Sequence, residues 1–398
     1  MPTYAHVGLS TLEDSRAAAL DAGATALEAL PGCRADLALV FATADHDHVE
    51  LLSTLRNVFG DTRLVGCSGE GVIAHDDSVE IFSAVAVLAV RSDRLRFDTF
   101  LVDDYGADPV GAGARLARMV REGARDARCL CVLPDGLQGD CTRFLETLHA
   151  GLPGLPIVGG TAADAMTFEQ TFQYEGDRVV SGGAAALLIS GDADVEIAVS
   201  HGCTPIGLER TVTAADGGWL KAIDGQSAWS VFREYLDGDA TDLNAEGIVH
   251  LCLGQPLPGE QAAGYDPYVI RTPLKLDDAS GALFFPGGGL GEGDIVQMTR
   301  RDHGKIRQSA QACAQRLGAH HSGRTPDLVL QFDCAGRGRV LFGSCAAAEI
   351  VAPLCAALGP ATPWIGFHTY GEIAPIGGLP HYHNYTVALC AIYERDVA

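Results

Sequence analysis

Basic residues are scarce in this 398-residue sequence. It has 28 Lys and Arg against 51 Asp and Glu, which leaves a formal net charge of −23. A chain this acidic repels phosphate backbones and anionic lipid headgroups, so it is not expected to bind nucleic acid or a membrane surface.

The sequence also has neither a recognisable secretory leader nor a long hydrophobic run. Its first residues, MPTYAHVGLSTLEDS, contain no basic segment followed by an apolar one. The longest clean apolar run, IFSAVAVLAV at 81–90, is too short to cross a bilayer. We therefore expect a cytoplasmic protein.

Cys-x-x-Cys pairs are absent, although the chain has 12 cysteines. The cysteines are scattered and mostly lie in apolar stretches such as CLCVL at 129–133. In a reducing cytosol such residues are small buried hydrophobes, and no structural zinc site of that spacing is predicted. His368, His381 and His383 form only a weak candidate metal set, so no metal is expected.

The chain does contain a unit that occurs three times. In the first copy, the apolar strand LALVFATA (37–44) is followed by a helix-like segment at 46–60, by RLVGCSGEG (63–71) and by a closing apolar strand. The second copy begins with CLCVLPDG (129–136) and the third with DLVLQFDCAGRG (327–338). A strand–helix–strand unit favours parallel pairing with a right-handed crossover, and the closing strand can return antiparallel.

These units predict an α/β (α+β) protein with mixed sheets in two packed domains. The length favours two domains over one. The best boundary lies near SHGCTPIGLERTVTAADGG (200–218), because two copies precede it and Gly- and Pro-rich loops interrupt the pattern after it. We therefore predict domains at 1–210 and 211–398.

Several Gly-rich motifs resemble those of FIST proteins. In the first half these are LVGCSGEG, IVGGTAAD and VEIAVSHGCTPIG, and in the second half FDCAGRG, GFHTYGEIAP and HNYT. The resemblance covers nearly the whole chain, with the FIST N-terminal domain before the C-terminal one. It implies a sensory ligand-binding module of intracellular signal transduction. Because no output domain is visible, it also implies a separate partner, such as a histidine kinase or a cyclic-di-GMP cyclase or phosphodiesterase.

Stand-alone FIST proteins of this length are also similar to the bacterial nitric-oxide-sensing haemoproteins (NosP). That similarity is in size and domain content, and it makes haem b a candidate cofactor. No Cys-x-x-Cys-His attachment site is present. His201, at the end of VEIAVS and beside Gly202, is the candidate axial ligand, and Cys203 is a weaker one.

The second half also contains the best candidates for holding a small anion. Glu372 is the one charged residue in PWIGFHTYGEIAPIGG (363–378), and an isolated carboxylate needs a partner or a raised pKa. Arg337 is the expected partner, either as a structural clamp or as a bidentate grip on a ligand such as an amino acid. Glycine at strand ends lets the backbone approach a ligand closely. The expected ligand-binding residues are Gly66, Cys67, Ser68, Gly159, Gly160, Arg337, Tyr370, Glu372, His383 and Asn384.

Other functions remain open from the sequence. Cys67 follows an apolar strand and precedes a Gly-rich turn, so a thiol-dependent acyl transferase or hydrolase with His383 as base is an alternative. A ligand-free protein–protein scaffold is another, and a homo-oligomer is compatible with either.

Overall fold

The computed structural model describes residues 2–80, 83–123, 125–236, 251–257, 259, 265, 267–321 and 323–395. Three units of the same design follow one another. Each contains two parallel strands joined by a helix, and each ends in an antiparallel closing strand, as the sequence predicts. A further strand and a further helix precede each parallel pair, and a short hairpin lies before each closing strand.

The first two units have the same order of elements. Unit 1 contains β1 (Tyr4–Ser10), α1 (Ser15–Glu28), β2 (Leu37–Thr43), α2 (His48–Phe59), β3 (Arg63–Gly69), β4 (Val72–Ala74), β5 (Asp77–Val79) and β6 (Val85–Arg91). Unit 2 contains β7 (Leu95–Val102), α3 (Pro109–Gly123), β8 (Ala127–Pro134), α4 (Cys141–Gly151), β9 (Ile157–Thr161), β10 (Gln173–Glu175), β11 (Arg178–Val180) and β12 (Ala184–Gly191).

Unit 3 carries a long insertion after its first strand, β13 (Ala193–Ser200). The insertion contains β14 (Cys203–Asp216), β15 (Trp219–Ile223), β16 (Gln226–Ser227), α5 (Ala228–Arg233), β17 (Leu251–Pro256), β18 (Tyr268–Arg271), β19 (Lys275–Asp277), β20 (Ala282–Phe284) and β21 (Ile295–Arg301). The unit then continues with α6 (His303–His320), β22 (Leu328–Cys334), α7 (Arg339–Phe342), α8 (Ala352–Leu358), β23 (Trp364–Thr369), β24 (Gly371–Ile376), β25 (Leu379–His383) and β26 (Val387–Glu394).

Aspartate caps start the main helices. Asp14, Asp47, Asp140 and Asp302 each accept a hydrogen bond from a backbone N–H in the first turn of α1, α2, α4 and α6. A side-chain oxygen at this position satisfies a donor that the helix itself leaves free.

The strands of the parallel pairs are buried on both faces. In β2 the side chains of Leu37, Leu39 and Phe41 enter a central core shared by all three units. Ala38 and Val40 pack under α1 and α2 on the other side. This double burial explains why these strands are continuous apolar runs rather than alternating ones.

The three units exchange their hairpins in a closed cycle. The hairpin β4–β5 of unit 1 pairs with β23 of unit 3, β10–β11 of unit 2 pairs with β3 of unit 1, and β24–β25 of unit 3 pairs with β9 of unit 2. The resulting sheets have the strand orders β1-β6-β2-β3-β10-β11, β25-β24-β9-β8-β12-β7 and β13-β26-β22-β23-β4-β5. Two of them therefore combine strands from both halves of the chain.

The insertion forms a fourth sheet with the order β18-β17-β21-β14-β15-β20-β19, and α5 packs on it around its own small core. The predicted fold class is confirmed, whereas the division at 210/211 stays a prediction. Within the described ranges, no single helix is long and apolar enough to cross a bilayer. In the same ranges, two helices bent sharply against each other, Arg339–Cys345 and Ala347–Leu358, reach that length and apolar content when they are taken together.

A tight contact inside each parallel pair leads to a prediction about stability. A Cβ added at Gly366 would lie 2.0 Å from the backbone oxygen of Gln331. Because neither strand can move, we expect Gly366→Ala to lower the free energy of unfolding by about 3 kcal/mol. Gly318→Ala in α6 is the control, since its Cβ would find no atom closer than 3.6 Å. In chemical denaturation the control is expected to be neutral or slightly stabilised, and equal losses in both variants would contradict the packing argument.

Candidate functional site

A cavity of about 220 Å³ lies at the carboxyl ends of the parallel strands β22 and β23. Cys334, Ala335 and Gly336 follow one strand end and Thr369 and Tyr370 the other. Neighbouring parallel strands end at the same edge of a sheet, which is the usual position of ligand sites in open α/β sheets. We call this the strand-end cavity.

The first half of the chain closes one side of the strand-end cavity with the loop 164–170. Asp164 is buried and accepts hydrogen bonds from the backbone N–H groups of Phe168, Glu169 and Gln170. Three residues of the loop that are not glycine have a left-handed backbone: Ala165 (φ 58°), Met166 (φ 57°) and Phe168 (φ 54°). Such conformations cost about 1 kcal/mol or more each and concentrate at functional sites.

The strand ends of the three units meet at this loop. Glu70, Asp164 and Tyr370 lie at or near the points where the chain passes from the second parallel strand towards the exchanged hairpin. The Tyr370 hydroxyl donates to Asp164 and accepts from the N–H of Met166 at 2.9 Å. Burial raises the pKa of Tyr370, and it raises the pKa of Glu70 to about 8 with help from Glu80 and Asp164.

Asn384 lies on the cavity wall with both ends of its amide in use. Its Nδ2 donates to the backbone oxygen of Tyr370 at 3.2 Å, and its Oδ1 accepts from the N–H of Thr272 at 3.1 Å. Neighbouring His383 is fully buried, and its ring nitrogens contact the Ala374 oxygen at 3.1 Å and the Tyr265 hydroxyl at 3.3 Å. Burial holds the pKa of His383 well below its usual value. The structure thus gives His383 a supporting position behind the wall.

The predicted pairing of Arg337 with Glu372 is wrong. Arg337 pairs with Asp333, with 2.9 Å between Nε and Oδ1, because the chain turns sharply after β22 and brings these two residues together. Glu372 is held by the hydroxyls of Thr369 and Thr386 and by the N–H of Thr386. Burial raises the pKa of Glu372 to about 8 and also raises that of Asp333.

Two buried arginines are neighbours of residues that line the strand-end cavity. Arg301 is 3% exposed, lies 4.2 Å from the centre of the Tyr385 ring and donates to the oxygen of Gly336; both of those residues line the cavity. Among the described residues, its Nε and Nη2 have no hydrogen-bond partner. Arg271, next to Thr272 of the wall, is 4% exposed, and burial lowers its pKa. A buried cation without enough partners favours a negative charge nearby.

The predicted residues from the first half do not reach the strand-end cavity. Gly66 and Gly159 are pressed against the backbone of the neighbouring strands, and Gly160 packs against Thr369. The buried Ser68 hydroxyl donates to the oxygen of Ala163 at 2.8 Å and accepts from the N–H of Phe172. These positions serve sheet packing and the exchange of hairpins.

The alternative nucleophile Cys67 is not supported by its surroundings. Its side chain is fully buried in the central core, and burial raises the pKa of its thiol well above the ordinary value. A thiolate at this position would be desolvated and out of reach of a substrate.

His201 does not fit the role of a haem ligand as it is arranged. Its Nδ1 accepts the N–H of Cys203 at 2.8 Å, so the neutral ring carries its proton on Nε2. A histidine bound to iron needs the opposite arrangement, with a free lone pair towards the metal and the other nitrogen donating. Haem binding stays a prediction, and this geometry does not favour it. Within the described part of the chain, no three His, Cys, Asp or Glu side chains converge as a metal site requires.

Family models match most of the chain. The FIST N domain matches residues 36–226 and the FIST C domain residues 228–375. An uncharacterized protein of Mycobacterium tuberculosis is 30% identical over 397 residues, covering 98% of this chain and 99% of that protein. An uncharacterized protein of Methanocaldococcus jannaschii is 24% identical over 182 residues, covering 44% of this chain and 35% of the relative.

Several solved structures match the chain remotely. A chorismatase has a TM-score of 0.36 with 10% identity and covers 98% of both chains. A cyanuric acid hydrolase from A. caulinodans has a TM-score of 0.39 with 10% identity, covering 99% of this chain and all of the other. Likenesses this low carry no argument about activity.

The burial of Glu372 predicts a specific dependence of stability on pH. The pKa of Glu372 is about 8 in the folded state against an ordinary 4.5. Between these two pH values the folded state therefore retains a proton that the unfolded state has released. The stabilisation is therefore complete below pH 4.5 and is lost as the pH rises towards and through 8. We expect Glu372→Gln to flatten this decline, measured as the free energy of unfolding between pH 5 and 8. The exposed Glu146→Gln should leave the slope unchanged, and an unchanged slope in Glu372→Gln would contradict the assignment.

Proposed function

The chain belongs to the FIST family, whose domains are signal-transduction sensor domains, and we propose that it senses a small organic anion bound in the strand-end cavity. The sensor would act in the cytoplasm and regulate a separate signalling protein, such as a histidine kinase or a cyclic-di-GMP enzyme.

One observation carries the proposal: both halves of the chain build the strand-end cavity. Met166 and Phe168 come from the FIST N region, and Ala335 and Tyr370 from the FIST C region. A ligand in the cavity would therefore contact both halves at once. If the two halves can adopt two relative arrangements, such a ligand would make different contacts in each. It would then shift the equilibrium towards the arrangement that it binds more tightly.

The walls indicate the class of ligand. They are mostly apolar, with Met166, Phe168, Leu274 and Val340 among them. The volume of about 220 Å³ is below the roughly 300–1,000 Å³ of sites for drug-sized molecules, so the ligand is small. The buried guanidinium of Arg301 behind Tyr385 and Gly336 adds a positive field. An amino acid or a short carboxylic acid with an apolar body combines these properties.

The segment 339–351 is the proposed output. Val340 lines the strand-end cavity and is also 49% exposed, so a ligand that moves it alters the protein surface. The segment is irregular: α7 spans four residues, a 3-10 turn follows, and Ala347–Val351 is a π-helical turn. Irregular helices of this kind have low local stability and often mark functional sites.

The test is a thermal-shift screen of amino acids and short carboxylates, in which the neutral amide of each compound serves as its control. A carboxylate at 100 times its Kd is expected to stabilise the protein by about 2.7 kcal/mol, and its amide much less. Val340→Trp should abolish the shift because the ring fills the cavity from the exposed side. Leu208→Trp, at an 82% exposed position, is the control. If no compound in the panel stabilises the protein, or if Val340→Trp keeps the shift, the site is wrong.

Arg301→Gln separates the anion requirement from the cavity itself. The substitution should reduce the affinity for the carboxylate at least tenfold, because it removes the positive charge that attracts the anion. The unliganded protein should stay folded, because the charge that is removed is buried and has unused donors. The exposed neighbour Arg300→Gln on the same strand should bind normally. Equal affinities in the two variants would contradict the anion assignment.

A further inference from the structure

A hydroxyl, an imidazole and a carboxylate lie together on the outer face of the unit 3 sheet. Ser78 is on β5, the edge strand contributed by unit 1, and its Oγ is 2.7 Å from Nε2 of His368 on β23. Asp333 on β22 is directly opposite His368 in the parallel ladder. Side chains directly opposite each other in neighbouring strands share one face of the sheet.

One buried group of this cluster has unused hydrogen-bonding capacity. His368 is fully buried, and within the described ranges its Nδ1 has no hydrogen-bond partner. Asp333 is engaged by other residues: its Oδ1 lies 2.9 Å from Nε of Arg337 in their ion pair, and its Oδ2 accepts from Nε2 of Gln331 at 2.9 Å. Glu80 also contacts the cluster: its Oε1 lies 3.3 Å from Ser78 Oγ and 3.5 Å from His368 Nε2.

Ser78 is accessible although its partner is not. It is partly exposed and lines an open cleft of about 950 Å³ between unit 1 and the segment 339–347. The π-helical turn begins at Ala347 on the opposite wall, and Arg339 also lines the cleft. The strand-end cavity is lined by a different set of residues.

We propose that Ser78 is the nucleophile of an acyl-transfer site, with His368 as general base. A reactive hydroxyl needs an adjacent base, and Nε2 of His368 lies 2.7 Å from the Ser78 hydroxyl at the wall of the cleft. The remaining cleft wall carries Glu13, Asp45 and Asp77, so the substrate class is a small ester that is neutral or positively charged.

The reaction is a two-step hydrolysis. Oγ of Ser78 bonds to the carbonyl carbon while Nε2 of His368 takes the hydroxyl proton, and the bond to the leaving oxygen breaks as His368 returns that proton to the alcohol. Water then attacks the acyl-serine, with its proton passing to His368. Cleavage of the Oγ–acyl bond releases the acid and restores the Ser78 hydroxyl.

The test uses the full chain and a fluorophosphonate, which bonds its phosphorus to an activated serine with loss of fluoride. Intact mass and peptide mapping should show one adduct, on Ser78. Ser78→Ala should lose it, and His368→Gln should form it about 100-fold more slowly, the usual contribution of a general base. Ser344→Ala, another exposed serine of the same cleft, should react like the unaltered protein.

Several results would overturn the proposal. These are no adduct on the unaltered protein, an adduct shared with Ser83 or Ser344, and an unchanged labelling rate in His368→Gln. Circular dichroism of each variant verifies that the comparison is made between folded proteins.

Discussion

The closed exchange of hairpins between three similar units is the constraint on which the rest of the structure depends. Each short hairpin supplies the outer strands of another unit's sheet, so no unit completes its own sheet. The inner faces of all three sheets share one core, in which the rings of Phe41 and Phe367 lie 4.6 Å apart. A unit can therefore unfold only by exposing strands of another.

Both sites described above lie where the chain moves from one sheet to the next. Tyr370 separates β23 from β24, and loop 164–170 lies between β9 and β10, so the strand-end cavity is formed at two of these passages. Ser78 lies on β5 in the hairpin that unit 1 contributes, and its partner His368 is in unit 3. Residues from distant parts of the sequence meet here because the exchange brings them together. Packing alone does not require the buried, partly satisfied polar groups found at these points.

Much of the fold can be predicted from the sequence, whereas less of the candidate site can. The continuous apolar runs of β2 and β22 predict doubly buried parallel strands, and the gap after each second strand predicts an antiparallel return. The exchange itself is not readable, because a three-residue strand such as Val72–Ala74 carries no signal for its partner. The predicted pairing of Arg337 with Glu372 was wrong because the sequence does not show the sharp turn after β22 that places Arg337 beside Asp333. Tyr370 and Asn384 were identifiable from their motifs. Met166 and Phe168 were not, because their left-handed loop is held by hydrogen bonds to Tyr370 and Asp164 that the sequence does not reveal.

Native-state hydrogen exchange under increasing denaturant tests the exchange of hairpins most directly. If the three units are locked together, amides of β2 in unit 1, β8 in unit 2 and β22 in unit 3 should exchange through one opening with the same free energy and the same dependence on denaturant. If β2 and β8 keep their protection at denaturant concentrations where β22 has lost it, the two halves unfold independently. The cooperative link that the account requires between them would then not exist.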